Sequence, residues 1–313
     1  MNGRLGRIAV VSLSIAAACG IVTALASAQD WVEGGDLPWS KIAWTGTSRS
    51  CGAMPWSNNA DARERRTVDI AWPGGDAVRI RIPAHVHFHP GPTPQASVSG
   101  DADLVSHVRL RGGTLEWDTA EWGRLVDCVR ADDLVVQLSG PAVTAWTVDG
   151  SAVLDLSDIR QDALRITAHG SGAVTARGEA GDAVVDASGS GHVDFGRLVT
   201  RATTANLHGS GNLNLADIKQ ESLRITLHGS GGIAATGSVH EVSLESGGSG
   251  RAELGKLIAE HATAKIHGSG SVDLAPRQDA DISVSGSAVV RLHGVVARLN
   301  SHVSGSGQIK QMP

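Results

Sequence analysis

An all-β fold is predicted: a single-stranded parallel β-helix, or β-solenoid, of about nine 20-residue turns behind a β-rich N-terminal cap. Three observations carry this. A Gly-Ser pair recurs at Gly150, Gly170, Gly189, Gly209, Gly229, Gly248, Gly268, Gly286 and Gly305, in steps of 20, 19, 20, 20, 19, 20, 18 and 19 residues. Flanking residues alternate between apolar and polar, as in Leu223–Gly231. Aromatic residues also vanish from the second half: Tyr is absent, Phe occurs only at 88 and 195, and all eight Trp lie at or before Trp146.

Each unit divides into short strands. Two positions before the Gly sit Val148, Ala168, Ala187, Leu207, Leu227, Ser246, Ile266, Val284 and Val303, and four before it sit residues such as Trp146, Ile166, Val185 and Ile225. Odd positions are mostly polar, and a period of two is the mark of a half-buried strand. After the Gly, Leu154 and Leu156, Val193 and Phe195, Leu213 and Leu215, and Val272 and Leu274 repeat the pattern around outward Asp or Asn. A third apolar position follows at Ile159, Leu198, Ile218 and Leu257.

A 20-residue unit cannot bury its own apolar face. Stacking units at ~4.8 Å pairs each strand with its counterpart one turn on, so like residues form ladders. Each inward aliphatic side chain then contributes roughly 1.5–3 kcal/mol of burial. The nine glycines are assigned to corners, where chain reversal needs φ > 0.

The other segments follow from composition. Residues 1–28 read as a secretory signal: Arg4 and Arg7, an apolar run from Ile8 to Leu25, then Ala26-Ser27-Ala28. A retained membrane anchor and lipidation of Cys19 compete with that reading; no later segment is apolar enough to span a membrane. Residues 29–66 are expected to form an irregular arm, 67–147 the β-rich cap and 148–313 the solenoid. The cap shows alternating runs at 67–72, 77–84, 85–90, 96–100 and 133–140. An exported chain with an even pair of cysteines suggests a disulfide, here Cys51 to Cys128. The expected location is the periplasm, the cell surface or the medium.

At a net charge of −5 and with no basic block, the chain has no electrostatic footprint for nucleic acid.

The segment Val78–Val108, followed by tandem His-Gly-Ser-Gly units with Val-Asp-Leu-type strands, resembles the putative auto-transporter adhesin head GIN domain family. The likeness covers roughly residues 67–311. It implies a bacterial envelope domain of unassigned biochemical function built as a single-chain parallel β-helix. No translocator barrel follows the repeats, so self-transport across an outer membrane is not expected.

Chemistry-bearing residues favour architecture over catalysis. His169, His208, His228 and His267 precede Gly-Ser pairs, and His208 and His228 fall on consecutive turns, but Ser and Gly share their column. His85, His87 and His89 alternate along one strand and are discounted alike, so no metal or other cofactor is expected. The calcium-binding nonapeptide pattern fails, because Asp194 and Asp273 fall three residues after Gly191 and Gly270 rather than two. Nine equivalent serines do not describe a nucleophile, which needs one Ser with its own base.

Asp186 with Asp194, or Asp155 with Asp158, would be the acids of a polysaccharide-active enzyme, yet the regular 18–20-residue spacing leaves little room for cleft-forming loops. The leading expectation is a non-catalytic structural or adhesive envelope module that contacts glycan, envelope polymer or another protein. A polysaccharide-active enzyme and a scaffold protein stacking through its solenoid end are the alternatives.

Overall fold

A computed structural model describes residues 13–17, 20–24, 64–119 and 129–312. The chain divides into two units, Met1–Ala62 and Arg63–Pro313. In the first, β1 (Leu13–Ala17) and β2 (Gly20–Ala24) pair antiparallel. Among the described residues no helix is long and apolar enough to cross a membrane. Cys19, Cys51 and Cys128, with the disulfide and lipidation readings placed on them, lie outside the described residues, as does the Ala26-Ser27-Ala28 cleavage signature.

The second unit is a nearly all-β parallel solenoid of about eight turns. Nine corners bound eight intervals, which accounts for the difference from the nine turns expected. Its first strands are β3 (Arg65–Asp69), β4 (Ala77–Ile80), β5 (His85–Pro90) and β6 (Gln95–Asp101). A short helix α1 (Ala102–Ser106), N-capped by Asp101, leads to the hairpin β7 (Val108–Arg111) and β8 (Thr114–Trp117), then to β9 (Leu134–Gly140) and β10 (Ala145–Gly150).

Six long bent strands make the body: β11 (Val153–Gly170), β12 (Ala173–Gly189), β13 (His192–Gly209), β14 (Asn212–Gly229), β15 (Gly232–Gly248) and β16 (Arg251–Gly268). Then follow β17 (Ser271–Gly286), β18 (Val289–His293), β19 (Arg298–Gly305) and β20 (Gln308–Met312).

Register is in phase with the repeat. Ile166 pairs with Val185, Val185 with Ala205, Ala205 with Ile225, Ile225 with Leu244, Leu244 with Ala264 and Ala264 with Ile282, and all are buried. Trp146 and Val78 continue this ladder downward. The Gly-Ser glycines also form one column, Gly150 to Gly170 to Gly189 and on to Gly305. Each has φ between 91° and 132°.

Stacking adds a second demand at that column. A Cβ on Gly209 would lie 2.5 Å from the Gly189 carbonyl oxygen, whereas one on Gly150, first in the column, would meet nothing within 4 Å. That same carbonyl is bonded at close range, since Ser210 N–H donates to Gly189 O at 2.8 Å.

A second bend absorbs the variation in unit length, which the sequence pattern alone did not resolve. Asp158 and Asp217 take φ 54°, and one turn on Gly178 and Gly237 take φ 123° and 115°. Register shifts fall there, between Leu156 and Ile159 and between Leu215 and Ile218. Two of the four 20-residue turns, those from Gly150 and Gly209, carry the extra Asp in the left-handed region, and the 19-residue turn after each drops it at a Gly.

The two ends differ. Below the first turns, β8 pairs parallel with β4, and β9 pairs parallel with β5. The direction then switches: β7 runs antiparallel to β8, β6 to β9, and β3 to β6. Trp146 and Phe88 pack there, with ring centroids 5.1 Å apart. At the other end β19 and β20 pair only backward, with β17 and β18, and their side chains are mostly exposed.

Candidate functional site

A lateral groove of about 860 Å³ runs over the mid-turn segments of β11 to β16. Three neighbouring positions in each turn build it. The middle one points inward and is mostly buried: Gln161, Ala180, Thr200, Gln220, Val239 and Ala259. The residues before it, Arg160, Glu179, Val199, Lys219, Ser238 and Ile258, form one wall. Those after it, Asp162, Gly181, Arg201, Glu221, His240 and Glu260, form the other. Period-two alternation puts both walls outward and leaves the backbone of the middle position as floor. Within the strand pairings the residue on the second wall is skipped, from Asp162 opposite Gly181 to His240 opposite Glu260.

Both signs of charge occur on each wall or across it. Arg201 holds Asp182 through two bonds from Nη2, at 2.7 and 2.9 Å, which raises the guanidinium pKa further. His240 Nδ1 lies 3.0 Å from Glu260 Oε2. Two apolar side chains stand open among these charges: Val199, 64% exposed, and Ile258, 46%. Beneath the groove the aliphatic interior is interrupted. Thr200 Oγ1 lies 3.1 Å from Thr203 Oγ1, and Gln220 Nε2 donates to Thr203 Oγ1 at 2.9 Å and also to Thr200 Oγ1. Gln220 Oε1 is buried with no hydrogen-bond partner.

A second constellation lies where the cap meets the solenoid. His85 and His87 project from one face of β5, their rings stacked with centroids 4.3 Å apart. Asp155 on β11 is in register with His87, and its Oδ2 lies 3.1 Å from His85 Nε2 and 3.5 Å from His87 Nδ1. Burial, with the neighbouring His85, pushes the His87 pKa down against the pull of Asp155. The sequence shows no partner carboxylate for these histidines, because alternation along one strand does not reveal what the next ladder supplies; the carboxylate arrives from 70 residues away. His89 pairs with Ser139 and is outside the cluster.

The other singled-out residues are spread over the surface. His208 and His228 stack at 5.3 Å, but no third metal-ligating side chain joins them among the described residues. His169 Nδ1 lies 2.7 Å from Ser188 Oγ. Asp186 accepts from Arg165 at 3.0 Å and from Asn206 at 2.7 Å. Asp194 accepts from the Gly196 N–H and from Asn214, both at 2.9 Å. Asp273 is held by Arg291 at 2.9 Å and lies 3.1 Å from His293, so its column is a mixed-charge face. Asp158 is exposed at the second bend. The corner glycines lie in the column described above.

Three crystal structures share the fold. A putative lipid binding protein from Parabacteroides distasonis matches at TM-score 0.59 and 21% identity, covering 81% of this chain and 98% of that one. A putative adhesin from the same species matches at TM-score 0.57 and 16% identity, covering 80% and 98%. A putative adhesin from Parabacteroides merdae matches at TM-score 0.53 and 17% identity, covering 81% and 98%. No curated protein matches the chain. The family described as putative auto-transporter adhesin, head GIN domain, matches residues 76–220 and 196–296, the ladders that carry both constellations, and the chain belongs to that family.

Proposed function

We propose that this protein is a non-catalytic, exported envelope module that holds an uncharged glycan or similar envelope polymer along the lateral groove of its solenoid. The groove carries the reading: it runs across six consecutive strands, β11 to β16, and is built from the same three positions of every turn, with polar, charged and apolar side chains mixed along it. A polymer of regular repeat meets such a surface through many weak contacts, and their sum rather than any one gives affinity. Charges of both signs on the walls give no net field to attract a polyanion. A lipid, which one Parabacteroides distasonis relative is named for binding, suits the groove less well, since Val199 and Ile258 stand among charged neighbours.

Two features favour a binding role over catalysis. The candidate acids Asp186 and Asp194 are engaged by Arg165, Asn206, Asn214 and a backbone N–H. The turns carry no inserted loop that would close a cleft over a scissile bond. A glycan array on the full chain, with Arg201→Glu and Val199→Glu as comparators, tests the reading. Selective retention by the wild type, weakened at least tenfold in both variants, is expected. Retention of no glycan, with full protection of the chain from a membrane-impermeant label on intact cells, would overturn it.

Exposed apolar side chains on β19 support a second reading, end-on association into a scaffold. Leu299 and Val303 stand over the buried Ala280 and Val284 of the preceding turn and are themselves 45% and 40% exposed. Light scattering over a concentration series reads it, and a monomer throughout rejects it. The Cys51–Cys128 disulfide is part of the exported reading; thiol titration of denatured, unreduced protein is expected to find neither cysteine free.

A further inference from the structure

We propose that His85, His87 and Asp155 form a three-ligand site for a divalent transition metal of the Zn²⁺ class, one that clips the cap strand β5 to the first long strand of the solenoid, β11. The ligand types are right for such an ion: two imidazole nitrogens and a carboxylate oxygen. A tetrahedral centre with bonds near 2.0–2.1 Å holds its ligand atoms about 3.3 Å apart. Asp155 Oδ2 already stands 3.1 and 3.5 Å from the two ring nitrogens, and the three ligand atoms all lie within 4.8 Å of one another. The remaining adjustment is a rotation of the half-buried rings out of their stack, which turns both nitrogen lone pairs toward one ion.

The strand frame fixes this arrangement. Residues 85 and 87 sit two apart, so both rings leave the same face, while Val86 and Phe88 between and beside them are buried. β5 is held on both edges, by β9 and by β11, and cannot slide to separate the ligands. Three protein ligands leave a fourth position open, the arrangement of a site that can also take water or a partner's donor atom.

One other cluster among the described residues has the same ligand types: His240, Glu260 and His261. It is the weaker candidate. His240 and Glu260 are exposed, Glu260 also accepts from Gln278 at 3.3 Å, and His261 is engaged by Asp279 at 2.8 Å. Its ligands are therefore less preorganised, and it serves as the internal control.

Calorimetric titration of the chelator-treated full chain with Zn²⁺ is expected to give one saturable equivalent, and Cu²⁺ is expected to bind more tightly than Zn²⁺. His87→Ala and Asp155→Asn should each weaken binding at least tenfold, and His240→Ala should leave it unchanged. Imidazole ¹⁵N shifts in the wild-type protein report ligation without any substitution, so a variant that folds poorly does not leave the question open. Absence of saturable Zn²⁺ binding, binding that survives both substitutions in folded variants, or His85 and His87 resonances that do not move on saturation would overturn the site.

Discussion

The two ends of the solenoid face the same physical problem and treat it differently. A parallel ladder has no internal stop, because every turn leaves an unpaired edge and a half-covered row of inward side chains for the next. At the N-terminal end the stack changes direction: β7, β6 and β3 pair antiparallel, and the last edge passes to short strands. Trp146 and Phe88 pack against each other at that end, both fully buried. At the C-terminal end the chain keeps its parallel pairing through β19 and β20, and Leu299 and Val303 stay open to solvent. The difference accounts for the placement of Trp146 and Phe88. A turn stacked on a like turn is filled mostly by aliphatic residues, with Phe195 the described aromatic exception, whereas the closed end takes up Trp146 and Phe88.

The sharpest test sets one end against the other. Trp146→Ala empties the closed end and should cost about 3–5 kcal/mol in chemical denaturation. Leu299→Ala, at the open end, should cost less than about 0.5 kcal/mol, as surface substitutions do. Equal costs would mean that the ends are equally packed.

Next comes position within the column. Gly229→Ala places a methyl group against the carbonyl of Gly209 as well as straining the backbone; Gly150→Ala has only the strain. The first should destabilise by about 1–3 kcal/mol more than the second, read from paired melts. A smaller effect of opposite sign is expected in the middle of the stack. Gln220→Leu removes a buried amide oxygen without a partner and leaves Thr200 and Thr203 bonded to each other. A gain of about 1–2 kcal/mol should follow; a loss would show that the amide holds the groove floor in shape.

The smallest effect belongs to the last turn. The Arg298 guanidinium bonded to Asp279, aided by His261, holds that carboxyl below its usual range. A folded-state value below the unfolded one contributes stability above the unfolded pKa and loses it as pH falls through the folded value. Arg298 is exposed and Asp279 half-buried, so solvent screens the pair and the contribution is slight. NMR titration of Asp279 should show its midpoint rising in Arg298→Ala; an unmoved midpoint would mean that the ion pair does not persist in solution.

The periodic features were legible. The step lengths, the inward aliphatic positions and the Gly column all recur, and what recurs in a stacked fold is what packing demands of every turn. The second bend was only half legible: the 18–20 spread was visible, but not that Asp158 and Gly178 absorb it. The hairpin of β7 and β8 and the antiparallel closure were not, since four-residue strands give too little alternation to mark a period.

The amino-acid order by itself determined the repeating unit, its strands and its corners, because each unit meets the same neighbours and local pattern suffices. Tertiary structure alone decided where the repetition matters chemically. Asp155 stands beside His85 and His87 only because a 70-residue excursion returns in register. The groove exists only because outward columns from successive turns align, and the ends differ only because pairing changes direction at one of them. Such placements depend on the register between distant segments, and stacking fixes that register after the strands have formed.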